Sequence, residues 1–173
     1  MKEQIKFKIK SLVDECSNDI IKIRHHLHQY PELSFKEYNT AKYIAQILAN
    51  FGIEYQTGIV ETGIVGEIRG RNPNKKVIAL RADIDALPIQ ETSGVDFTSK
   101  NEGVMHACGH DFHTASLLGT LYILNHLKDS FEGTVKFLFQ PGEELLPGGA
   151  KLMIEEGVLE NPKVQSITGQ HVY

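Results

Sequence analysis

The chain has 173 residues, 41% apolar and 23% charged, a balance that suits one globular domain and excludes disordered and collagen-like classes. A formal charge of -4 and a pI near 6.1 leave no basic stripe to hold a phosphate backbone, so a small molecule is favoured as partner over nucleic acid. No apolar run reaches the roughly 18 residues of a membrane span, and the N-terminal segment is charged and amphipathic rather than signal-like, which predicts a cytoplasmic protein with no membrane partner.

Taken in chain order, Ile5, Ile9, Leu12, Val13, Cys16, Ile20, Ile23 and Leu27 recur at helical spacing, predicting a helix over residues 2–28 that ends before Pro31 and has Ser17 as its candidate break. Cys16 reads as a small buried side chain. A second helix is predicted over residues 37–50, with Ala41, Ile44, Ala45 and Leu48 on one face and Gly52 as C-cap. Short β-rich runs follow at 64–68, 77–80, 134–139 and 166–170, and helical patterns at 117–127 and 150–156 fall between them. This alternation predicts an α/β fold with a largely parallel or mixed sheet flanked by helices, in which 77–80 and 135–139 are central strands. The polar stretch 69–76 is too short for a domain linker, and no internal repeat is present. The chain stops at Gln170-His-Val-Tyr173 directly after a β-like run, which reads as a fragment.

The strongest local signal is Met105-His-Ala-Cys-Gly-His-Asp111. A thiolate at Cys108 and a neutral imidazole at His110 suit a borderline divalent ion, Gly109 lets the backbone turn between them, and Asp111 is expected to take the other ring N–H of the imidazole. Alone, a Cys-Gly-His tripeptide is more often a buried thiol beside surface histidines. Downstream, Glu143 and Glu144 follow an apolar run at the carboxyl end of a predicted strand, where α/β folds place their sites. One carboxylate can ligate a cation while its neighbour accepts a proton from bound water; the bland alternative is an exposed acidic pair. His171 stands at an equivalent strand end. Arg81, Asp83 and Asp85 gather where another buried run emerges: Asp83 suits orienting a ligating histidine or screening a cation, and Asp85 is equally suited to pairing with Arg81 to close the turn before Pro88. His106 and His113 flank the Cys108 motif, but packing or solvation is the commoner role for each, and His25, His26 and His28 suit helix packing. Two cysteines make no disulfide framework.

Together, Arg24-His-His-Leu-His-Gln-Tyr-Pro-Glu32, Arg81-Ala-Asp-Ile-Asp-Ala-Leu-Pro88, Cys108-Gly-His-Asp111, Gln140-Pro-Gly-Glu-Glu144 and Gly169-Gln-His171 resemble, in order, the amidohydrolase branch of the M20 metallopeptidases. That branch includes hippurate hydrolases, N-acyl-diaminopimelate deacetylases and hydrolases of auxin amino-acid conjugates. The resemblance implies a zinc-exopeptidase-like catalytic domain with two divalent ions (Zn, Mn, Co or Ni), Cys108 bridging them and His110, Glu144 and His171 as further ligands. Glu143 becomes the general base, Asp83 and Asp111 support ligands from behind, and the substrate is an N-acyl amino acid or related small amide. Arg81 stands where other branches carry a histidine, which suits the amidohydrolases, and Phe112 stands where glycine is common, reshaping the pocket wall. The resemblance also makes residues 1–173 the N-terminal part of the metal-binding domain. The lid domain, through which family members often form homodimers, and the C-terminal catalytic segment are absent, so the piece alone is expected to be inactive. The competing readings are a metallo-dipeptidase or aminopeptidase and, more weakly, a non-catalytic structural-zinc domain.

Overall fold

The computed structural model describes residues 2–172. Helix α1, Lys2–Gln29, runs 28 residues without the break allowed at Ser17, whose hydroxyl instead bonds back to the Val13 carbonyl at 2.5 Å within the helix. Its second half buries Ile23 and Leu27, while Phe7, Ile9 and Val13 in the first half stay exposed. Cys16 lies between these regions and is only partly covered, not buried as its spacing suggested. Helix α2, Tyr38–Asn50, buries Ala41, Ile44, Ile47 and Leu48. The Glu32 carboxylate accepts the Asn39 and Thr40 N–H groups at its start, and Gly52, at φ 66°, turns the chain just after it.

Five strands form one sheet in the order β1-β2-β4-β3-β5: β1 Tyr55–Ile59, β2 Gly63–Arg69, β3 Val77–Asp83, β4 Thr134–Gln140 and β5 Ser166–Gly169. β3 pairs in parallel with β4 and β5, whereas β2 pairs antiparallel with β1 and β4. The sheet is therefore mixed, and the parallel character expected from the alternating elements holds for its β4-β3-β5 half. β1 and β2 are joined by three residues, and Val60 and Glu61 at the turn both have positive φ (48° and 69°). So short a link permits only an antiparallel hairpin.

The seven residues of β4 are all buried. Phe137 and Phe139 face a core shared with α1, α2 and α3 (His110–His126), and Leu138 faces a smaller cluster with Ala79, Met153 and Val158 beneath α4, Gly149–Glu155. No helix among the described residues is long and apolar enough to cross a membrane. The parallel strands deliver Asp83, Gln140 and Gly169 to one edge of the sheet, and α3 begins at the same edge.

Lys136 points from β4 into the smaller cluster, where its Nζ donates to the carbonyls of Val158, Asn161 and Pro162 at 2.8, 3.0 and 3.2 Å. Burial lowers its pKa, yet all three donor positions are used, so the ammonium pins the turn after α4 against the sheet. Lys136→Met keeps most of the stem but strands three carbonyls, and is expected to cost roughly 2–4 kcal/mol of stability in urea denaturation. An unchanged midpoint and slope contradict this role.

Candidate metal centre

Gly109 is the N-cap of α3 and adopts φ 84°; a Cβ there meets Val172 Cγ2 at 2.4 Å, so only glycine fits. The left-handed turn separates Cys108 from His110, which heads the helix. The apolar pattern alone placed the start of α3 at residue 117, because the first two turns bury polar groups instead: His110, Asp111, His113 and Thr114.

His110 is fixed by Asp85. Its Nδ1 lies 2.9 Å from the Asp85 carbonyl oxygen and 3.2 Å from Oδ1, so Nδ1 carries the proton and Nε2 is left with a lone pair. That Nε2 is buried and has no hydrogen-bond partner among the described residues. It lies 3.7 Å from Asp83 Oδ2, 3.9 Å from Glu143 Oε2 and 3.7 Å from Glu144 Oε1. The Asp85 Oδ2 atom accepts the Ser34 hydroxyl at 2.6 Å and the Glu144 N–H at 3.0 Å, so one carboxylate ties together the α1–α2 connection, the head of α3 and the loop after β4. Burial pushes the Asp85 pKa up, but the bonds from His110, Ser34 and the Glu144 and Glu143 backbone outweigh it and hold the value at about 2.

Asp111 does not meet the His110 ring. Successive residues in a helix point about 100° apart, and the Asp111 carboxylate turns toward α1, where Oδ2 accepts Arg24 Nε at 2.7 Å and His28 Nδ1 at 2.9 Å. His28 Nε2 in turn meets Glu91 at 3.0 Å, and the hydrogen bond to Asp111 leads the causes that raise its pKa. The expected tautomer-fixing role therefore falls to Asp85. Arg81 likewise reaches Asp83 at 2.7 Å and Gln140 at 2.8 Å rather than Asp85. Asp83 Oδ1 sits 2.6 Å from His113 Nδ1, and His113 Nε2 accepts the Val172 N–H at 3.0 Å. His113, outside the expected site, thus links Asp83 to the segment that carries His171; its spacing of three from His110 on a helix start was the available signal.

Cys108 Sγ lies 3.5 Å from His171 Nε2. Burial, followed by the Glu144, Glu143 and Asp83 carboxylates, pushes its thiol up to about 11. Glu144 is the more sheltered of the adjacent pair, at 21% side-chain exposure against 41% for Glu143, and the loop bearing both is anchored where Glu37 accepts the Gly142 N–H at 2.8 Å. His106 is buried with neither ring nitrogen partnered among the described residues, and burial drops its pKa to about 4.

The expected set of Cys108, His110, Glu143, Glu144 and His171 is thus assembled at one sheet edge with Asp83 beside it, while Asp111 stands behind. Cys108 and His171 group with His110, as do Glu143 and Glu144. Two donors about 2.0–2.3 Å from a common ion in tetrahedral array lie roughly 3.3–3.7 Å apart. The 3.5 Å from Cys108 Sγ to His171 Nε2, the 3.7 Å from His110 Nε2 to Glu144 Oε1 and the mixed sulfur, nitrogen and oxygen donors fit a divalent transition metal, and a cation relieves the crowding of carboxylates around an unpaired imidazole nitrogen.

A family model for "Peptidase family M20/M25/M40" matches residues 79–173. An N-acyl-L-amino acid amidohydrolase of Geobacillus stearothermophilus is 48% identical over 168 residues, 97% of this chain and 45% of that protein. Thermostable carboxypeptidase 2 of Saccharolobus solfataricus is 51% identical over 167 residues, 95% of this chain and 42% of that protein. The crystal structure of the Bacillus subtilis YXEP protein, described as a dinuclear metal-binding peptidase of the M20 family, superposes with a TM-score of 0.85 at 48% identity, over 90% of this chain and 43% of that one. The chain therefore spans less than half the length of the curated relatives it matches. Since the matched family model takes in more than half of the residues, and with them most of β3 and all of α3, β4 and β5, the chain belongs to peptidase family M20/M25/M40.

Proposed function

We propose that this centre serves metal-dependent hydrolysis of the amide bond in N-acyl amino acids or related small amides. The observation that carries the proposal is the buried, unpaired Nε2 of His110, set within 3.7–3.9 Å of three carboxylate oxygens and aimed by Asp85. A structural zinc site fills its positions with Cys and His, whereas this one keeps a spare carboxylate. In this reading Cys108, His110, Glu144 and His171 hold two divalent ions, of which zinc, manganese, cobalt and nickel all accept such donors. When bound, such a pair supplies Lewis acidity, polarising the scissile carbonyl and bringing the pKa of water toward about 7.

Glu143, the more exposed carboxylate, takes the proton from the attacking water and delivers it to the leaving amine. Asp85 keeps the His110 lone pair directed inward. Asp83 restrains His113 and Arg81, and Asp111 moors the first turn of α3 to α1. No side chain becomes covalently attached. The relatives' names support this reading: one is an N-acyl-L-amino acid amidohydrolase and another a hippurate hydrolase. A second reading, release of terminal residues from short peptides, is favoured by the 51% identity to a carboxypeptidase.

Metal content and release of free amino acid from N-acetyl and N-benzoyl amino acids, with dipeptides in parallel, separate these readings when measured on protein extended to the length of the relatives it matches. Turnover of the acyl amino acids is expected to dominate; preference for dipeptides moves the assignment to the peptidase. Glu143→Gln is expected to lower kcat by about 10²–10⁴ with metal stoichiometry unchanged, and metal loss contradicts its role as base.

Metal affinity is expected to depend on pH with a definite sign. The Cys108 thiol, pushed up to about 11, keeps its proton at neutral pH, so ligation as thiolate releases one proton and affinity rises about tenfold per pH unit. His110, whose pKa is also raised, steepens the fall on the acid side. Chelator competition between pH 6 and 8 checks this. Cys108→Ser is expected to weaken binding and change the slope, whereas a flat wild-type profile contradicts thiolate ligation.

A further inference from the structure

An open cavity of about 640 Å³ adjoins the metal centre through Cys108 and His171, and neither Glu143 nor Glu144 lines it. Its size lies within the range of about 300–1,000 Å³ usual for small-molecule sites. The walls are largely apolar. Phe112 projects from the first turn of α3 at 42% exposure, because the neighbouring positions His110, Asp111 and His113 take the inward directions, and Val95 stands exposed on the loop opposite. Phe97 is already held rigid, with His25 stacked on it at 3.8 Å and the Arg24 guanidinium 4.9 Å from its centroid. In the same lining sits His106, 5% exposed, with both ring nitrogens lacking partners among the described residues.

Resting on the amide-hydrolysis reading above, we propose that this cavity receives the acyl half of the substrate, that it takes a bulky apolar acyl group such as an aromatic one, and that Phe112 is its specificity-determining contact. Glu143 hands its proton to the amine, so the amine half lies on the Glu143 side; the acyl half then extends to the side Glu143 does not line. The cavity is already larger than a benzoyl group with Phe112 in place, so the ring adds contact area rather than excluding bulk.

The test compares wild type, Phe112→Ala and Val95→Ala in metal-loaded protein extended to the length of the relatives it matches. Two readouts are taken: kcat/KM for N-benzoylglycine against N-acetylglycine, and Kd for benzoate against acetate by NMR titration. Phe112→Ala is expected to lower the benzoyl-to-acetyl ratio about tenfold and to weaken benzoate by a similar factor, with acetate binding and metal content within about twofold of wild type. Val95→Ala is expected to act in the same direction more weakly. Retained turnover with an unchanged ratio and unchanged benzoate Kd overturns the proposal, as does a ratio that rises. If no protein turns over either amide but benzoate affinity still follows Phe112, the apolar subsite stands and the hydrolysis reading falls. If benzoate affinity also ignores Phe112, both fall.

Discussion

The Asp85 carboxylate is the joint on which the centre depends. It is buried, ionised down to a pH of about 2, and bonded at once to His110, Ser34 and the Glu144 N–H. Those three partners lie 25 to 59 residues from Asp85 along the chain, so forming this one set of bonds brings the head of α3 and the loop after β4 into register. A buried charge is tolerated only when fully bonded, and the same requirement gives the site its precision: His110 has no choice of tautomer and Glu144 no freedom of backbone.

Around that joint the polar groups fall into two tiers. Toward the sheet edge, Cys108, His110, His171, Glu143 and Glu144 present donor atoms to a common space. Behind them, Asp83 with Arg81 and His113, and Asp111 with Arg24 and His28, form separate buried networks that tie the tier in front to β3 and α1. The proposed reaction divides along the same line: Glu143 works on the amine side, and the apolar cavity beyond Cys108 accepts what the amine leaves behind.

Much of this was legible in the sequence because it rests on strong local signals. β3 and β4 are apolar runs whose carboxyl ends carry Asp83 and, just past Gln140, the Glu143–Glu144 pair, and strand ends are where parallel sheets build sites. The Cys108, Gly109, His110 motif required a tight turn, and the left-handed glycine supplies it. Other parts depend on contacts that no local pattern encodes. β1, Tyr-Gln-Thr-Gly-Ile, is mostly exposed and lacks alternation, and the turn after it uses Val60 and Glu61 at positive φ rather than the Asn-Gly that announces a hairpin. The true start of α3 was hidden because its first turns bury histidines and a carboxylate instead of apolar residues. Adjacency along the chain suggested Asp111 as the partner of His110, but helical geometry turns the two side chains apart, and the role passes to Asp85 across the fold.

The central claim is that Cys108, with His110, Glu144 and His171, directly ligates the metal. X-ray absorption at the metal edge of the zinc-loaded protein tests it without reference to substrate. The account predicts a scattering shell with sulfur at about 2.3 Å beside nitrogen and oxygen at about 2.0–2.2 Å, and loss of the sulfur component in Cys108→Ser. A shell of nitrogen and oxygen alone in the wild-type protein, unchanged by that substitution, contradicts it.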